Sequence, residues 1–215
     1  MSARTLRYEL LGALFAYPTA DYAAALNRCL LALDNTEGDA GQLLRPLQER
    51  VDGMTLAEME EMYTRTFDIN PVCTLEVGWH VYGEDYARGA FLVKMRQMLR
   101  ENNLPESTEL PDHLTHVVVL LGRLQGEEAD QLVARYILPA LKKMLDGMKG
   151  EQPYKALLDT VWAVVRQDHD VEMVPPREKR GDPPDWNRRL PMLGGQNAQG
   201  GPGPGRGKRG GHDVR

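Results

Sequence analysis

A histidine pair three positions apart is where chemistry would first be sought in this chain. The stretch Glu109–Leu114 reads ELPDHL, and it places Asp112, His113 and His116 within about one helical turn of each other. Two imidazoles and a carboxylate so arranged could hold a metal ion and activate water for hydrolysis. Zinc sites on helices carry a fuller pattern, such as HExxH with a further ligand, and no third ligand is evident here. The competing reading is that Asp112 caps a helix and the histidines sit on its first turn.

Nucleophilic chemistry has less to draw on. The sequence contains no GxSxG and no Gly-rich phosphate loop. Cys73 follows the Asn70-Pro71 turn signal, which would expose it, although a lone cysteine is more often a small packed residue. Cys29 and Cys73 make neither a CxxC clip nor a disulfide framework, and they suit a reducing compartment. Glu60, Glu61, Glu84 and Asp85 read as solvated helix faces. Near the C-terminus, GRGKRGG could bind single-stranded nucleic acid through charge and arginine stacking. It has no interleaved aromatic residue, and a solubilising tail is the reading adopted. Binding of a peptide is what remains. Tyr63, Phe67, Trp79, Tyr82, Tyr86 and Phe91 lie close in sequence, and ten methionines could line an adaptable groove or simply fill the core.

These side chains need elements to carry them, and helical periodicity dominates. Leu6, Leu10, Leu11, Leu14 and Phe15 share one face of a first helix; a secretory signal is the alternative for this segment. After Pro18 a second helix starts with Asp21 as its expected cap, and a third contains Pro46. Thr55 and Glu58 form a capping box before AEMEEMYTRTF. CTLEVGWHVYG is either a loop or a short helix. A strong helix comes next, through Phe91, Met95, Met98 and Leu99. DHLTHVVVLLGRL reads as a helix despite its β-branched run, with a buried strand as the alternative. Val133, Ile137, Leu141, Met144 and Met148 form one stripe, interrupted by Pro139, which predicts a kink. The last helix is YKALLDTVWAVVRQD. This pattern predicts an all-α, single-domain multi-helix bundle over residues 1–173. Residues 174–215, rich in Gly, Pro and Arg, cannot repay their ordering entropy and are expected to form a disordered tail.

Charge divides along the same line. Residues 1–174 hold 17 Lys and Arg against 27 Asp and Glu, and residues 175–215 hold 9 against 4. An acidic body favours basic partners and disfavours nucleic acid and anionic lipid. No apolar run approaches the roughly 20 residues that span a bilayer.

Two blocks resemble a known family. EEMYTRTFD resembles the E-x-Y-x-x-L-F signature of the TorD-like redox enzyme maturation chaperones, with Thr66 in place of the usual Leu. ELPDHL resembles the E-x-P-D-H signature of the same family, and the GED…RG segment between them is similar to the NarJ-type branch. That branch comprises the molybdenum cofactor assembly chaperones, or delta subunits, of respiratory nitrate reductase. The resemblance covers roughly Leu6 to Asp168. It implies an all-α, cytoplasmic chaperone without catalytic activity; a monomer is the default expectation, and the hydropathy and the acidic body add the expectations of no membrane insertion and no stable nucleic-acid binding. It implies that the partner is the catalytic (alpha) subunit, bound through its leader-like N-terminal segment. It further implies that no cofactor is held stably, the client being what receives a molybdenum bis-guanine-dinucleotide cofactor. Carried onto this sequence, the peptide-binding candidates are Tyr63, Phe67, Glu109, Asp112 and His113. Tyr63 and Phe67 would supply groove wall, Asp112 would cap its helix or meet a basic client residue, and His113 would hydrogen-bond peptide backbone. A chaperone for a dimethyl sulfoxide or trimethylamine N-oxide reductase, and a metal-dependent hydrolase built on Asp112, His113 and His116, remain as alternatives.

Overall fold

The structure, a computed structural model, describes residues 1–36, 38–150 and 152–175. The tail expected from residue 174 lies, from residue 176 onward, outside the described residues. Among these residues the fold is all-α, and the only β pairing is an isolated antiparallel bridge between Glu76 and His113.

Helix α1 spans Ala3–Ala13 and starts where the Ser2 hydroxyl accepts the Thr5 N–H at 3.0 Å. Its buried face holds Tyr8 and Leu11, and Leu14 and Phe15 are buried just past its end, whereas Leu6 is 39% exposed and lies off the expected stripe. The reason is the crossing with α7 (Leu114–Leu121). A Cβ on Gly12 would stand 2.6 Å from Val119 Cγ2, so only glycine lets the two helices approach this closely. Arg7 is buried beside that face, and its Nη2 donates to both Asp168 carboxylate oxygens at 2.7 and 2.6 Å. The pair ties α1 to the end of α10 (Pro153–Asp168).

Helix α2 (Tyr22–Asp34) begins without the expected side-chain cap, since Asp21 makes no such bond. Helix α3 (Ala40–Val51) runs through Pro46 and packs on α2 and α10. The capping box forms as read: Thr55 Oγ1 accepts the Glu58 N–H at 3.3 Å, and Glu58 Oε2 accepts the Thr55 N–H at 2.8 Å. It opens α4 (Leu56–Tyr63), which widens into a π turn over Thr64–Asp68. The ambiguous CTLEVGWHVYG segment contains a short helix, α5 (Val77–Tyr82), followed by α6 (Ala87–Glu101) with Phe91, Met95, Met98 and Leu99 buried.

The β-branched run is helical in α7, with Val117 and Val118 fully buried. Helix α8 (Gly126–Leu132) passes through a second π turn (Val133–Ile137) into α9 (Leu138–Gly147). The irregularity expected at Pro139 takes this form: a proline has no N–H to close an α-helical turn, and the preceding turn widens. The predicted stripe from Val133 to Met148 is buried throughout. The α9 helix packs on α5 and α10.

Candidate functional site

Tyr63 ends α4 and Phe67 lies in the π turn behind it, and both are buried, at 5% and 2% exposure. Their rings meet edge to face at 5.1 Å, and Tyr154 of α10 packs 6.0 Å from Tyr63 and 4.8 Å from Phe67. The Tyr63 hydroxyl donates to the Phe15 carbonyl at 3.0 Å. These two aromatics therefore form core behind the surface. Thr66 is buried as well, and its hydroxyl donates to the Met62 carbonyl at 2.7 Å, a back-bond that a leucine there would not make.

Burial raises the Tyr63 phenol well above its ordinary pKa, and the carboxylates of Asp68, Glu109 and Glu76 push it further. Tyr63 of the first signature block thus lies within electrostatic range of Glu109 of the second and of Glu76 from the loop before α5. Glu109 is exposed, and its backbone N–H donates to Ser107 Oγ at 3.1 Å. Ile69 and Leu110, the chain neighbours of Asp68 and Glu109, are 71% and 42% exposed.

Asp112 does not cap its own helix. His113 is the N-cap of α7, its Nδ1 accepting the Thr115 N–H at 3.2 Å. Asp112, fully buried, instead caps α5 from across the fold. Its Oδ2 accepts the Gly78 N–H and its backbone carbonyl accepts the Val77 N–H, both at 2.9 Å. A Cβ on Gly78 would lie 2.6 Å from that Oδ2 and 2.9 Å from Phe91 Cδ1, so the weld requires glycine. The Leu114 N–H donates to the Leu75 carbonyl alongside. Asp112 Oδ1 is buried without a partner. Burial raises the Asp112 pKa, while the Gly78 N–H and the charge of Arg88 partly offset it.

The histidines are committed to the chain rather than to a shared ligand. His116 donates from Nδ1 to the Leu110 carbonyl at 2.9 Å, which leaves Nε2 to accept the Ser107 hydroxyl at 3.0 Å. His113 is 4% exposed; burial lowers its pKa to about 4, against the opposing pull of Glu76, and the nearby His116 lowers it further. With Nδ1 accepting, the neutral His113 ring carries its proton on Nε2. No group of three or more His, Cys, Asp or Glu side chains among the described residues could hold a metal ion, which leaves the hydrolase alternative without its site.

Cys73 is buried, not exposed, and its thiol reaches toward the Met144 carbonyl at 3.8 Å. Of the other candidate groove aromatics, Phe91 is core, stacked at 4.6 Å on Tyr136, and Tyr86 is 95% exposed. Met59, Met62, Met95, Met98, Met144 and Met148 are all buried. Sequence reasoning missed Gly78 and Glu76, because each acquires its role through a residue far along the chain and leaves no local pattern.

No helix among the described residues is long and apolar enough to cross a membrane. The comparison with curated proteins gives no match. The nitrate reductase delta subunit family matches residues 33–150, more than half of the chain and a span that holds both signature blocks, Gly78 and Glu76. The family expected from EEMYTRTFD and ELPDHL is thus the one found, and the chain belongs to the nitrate reductase delta subunit family of assembly chaperones.

Proposed function

We propose that this chain is a system-specific assembly chaperone for respiratory nitrate reductase. It binds the leader-like N-terminal segment of the catalytic subunit and supports insertion of the molybdenum bis-guanine-dinucleotide cofactor into that subunit before membrane docking. It acts in the cytoplasm, as a monomer, without catalysing a reaction and without retaining the cofactor. The family match across both signature blocks carries this reading.

The roles of the candidate residues follow from their burial. Tyr63 and Phe67 shape the surface from behind, and Asp112 fixes α5 against the ELPDHL turn. Glu109 offers an exposed carboxylate, and His113 offers an Nε2–H for which no acceptor lies among the described residues. A basic, amphipathic segment would be steered by the acidic body, its apolar side chains meeting residues such as Leu110 and Ile69. Steering by charge weakens as salt is added.

Titration calorimetry of the full chain with a synthetic peptide of the catalytic subunit's N-terminal segment tests the reading. Saturable one-to-one binding that weakens as salt is raised is expected. Absence of binding at low salt overturns it.

A further inference from the structure

Most acidic side chains near a cation on this surface are paired with it. Asp34 meets Arg45, Glu106 meets Arg96 and Arg100, Asp146 meets Lys142, and Asp159 meets Lys155. Glu76 is different. It is half-buried, and its carboxylate makes no hydrogen bond or ion pair among the described residues. Of the cations in this part of the chain, Lys143 donates to the His80 carbonyl, and Arg88 lies over the Trp79 ring at 5.6 Å.

Its position is central to the site. The antiparallel bridge sets Glu76 directly opposite His113, which brings their side chains within about 5 Å at Cβ. The Glu76 charge acts on Tyr63, His80, Asp112 and His113, groups drawn from three separate parts of the chain. His113 supplies a spare donor beside it. The residue is 4% exposed, its Nδ1 is occupied, and its Nε2–H has no acceptor among the described residues. Nε2 is not among the side-chain atoms sealed from solvent without a partner, so it is open to an incoming carbonyl that would replace water there. A half-buried carboxylate without a cation beside it can take up a positive side chain in the same way.

We propose that Glu76, which neither signature block contains, selects a basic side chain of the client segment, while the neighbouring His113 Nε2–H takes a backbone carbonyl of that segment. Donor and carboxylate side by side match a peptide unit whose own residue is Arg or Lys. The inference rests on the reading that the chain binds the catalytic subunit's N-terminal segment at this face.

The test uses calorimetry of the full chain with that synthetic peptide and with versions in which each basic residue in turn is replaced by glutamine. Glu76→Gln keeps the side chain's size, and Glu49→Gln, at an exposed site on α3, is the control. Glu76→Gln is expected to weaken binding about fivefold, the measure of one partly shielded ion pair, with no change in the control. One peptide substitution should abolish that difference, because it removes the other half of the pair. If the wild-type chain binds and Glu76→Gln binds within about twofold of it, the inference falls while the proposed function stands. A loss shared equally by every peptide, or one accompanied by a lowered melting temperature, also overturns it, as a general charge or folding effect. A wild-type chain that does not bind the peptide at all overturns the functional reading and this inference with it.

Discussion

Removing the Asp112 carboxylate probes the contact that joins ELPDHL to α5. In Asp112→Ala the Gly78 N–H loses its acceptor at 2.9 Å. A hydrogen bond to a charged group contributes about 1.5–3 kcal/mol, and the orphaned N–H adds to the cost. Alanine also removes an unpartnered buried oxygen and the burial penalty that raises the carboxyl's pKa, both of which act the other way. The net loss is about 2 kcal/mol. Asp112→Asn retains an acceptor for Gly78 without the charge, and the expected loss is under about 1 kcal/mol. Gly78→Ala attacks the same contact from the other side. Its Cβ would stand 2.6 Å from Asp112 Oδ2 and 2.9 Å from Phe91 Cδ1, an overpacking worth about 1–3 kcal/mol. With Asp112 already truncated, only the Phe91 clash remains, so the double variant should be more stable than the sum of the single losses by about 1 kcal/mol. Urea unfolding of the four proteins measures all of this. Additive losses, or an Asp112→Ala variant as stable as the wild type, would refute the view that Asp112 acts by capping α5.

The remaining predictions concern neighbouring residues. The folded His113 ring stays neutral down to about 4, whereas an unfolded histidine protonates below an ordinary value of 6.5. Its contribution is therefore full above the unfolded value and is lost as pH falls toward the folded one, about 2 kcal/mol between roughly pH 7 and pH 5. His113→Asn, which can still cap α7, should flatten that part of the profile of urea midpoint against pH; an unchanged slope would assign the effect to other groups. Thr66→Val deletes the hydroxyl bond to Met62 while preserving shape, and should cost about 1 kcal/mol in urea unfolding. No change there would mean that the back-bond does not hold the π turn.

How much of this was legible in the sequence depends on how far each determinant reaches. The Thr55–Glu58 box, the stripe from Val133 to Met148 and the helix across the β-branched run rest on contacts within a few residues, and they could be read directly. Both caps assigned to aspartates failed, at Asp21 and at Asp112. A cap requires the side chain to turn back onto its own helix, and at Asp112 a glycine from another element offers a buried N–H instead. The tilt of α1 was invisible for a similar reason: it is set by Gly12 against α7 and by Arg7 against Asp168, both distant in sequence. At Tyr63 and Phe67 the family resemblance pointed to the residues but not to the direction they face. An extra residue in a helical turn rotates the downstream side chains by about 100°, and no sequence period announces that.

These failures share a cause that bears on where the client is recognised. Tyr63, Phe67 and Asp112 are held by the Phe15 carbonyl, the Tyr154 ring and the Gly78 N–H. Side chains committed in this way have little surface left with which to discriminate one peptide from another. On the proposed reading, recognition falls to groups at the edge of the signature that the fold leaves unpaired. Glu109 is exposed, Glu76 is half-buried without a cation, and His113 keeps an unused Nε2–H. Two carboxylates and one donor, flanked by Ile69 and Leu110, require of a partner positive charge, a backbone carbonyl and apolar side chains, all within one short segment. A substitution among the buried three should thus lower stability and binding together, whereas one at Glu76 should lower binding alone.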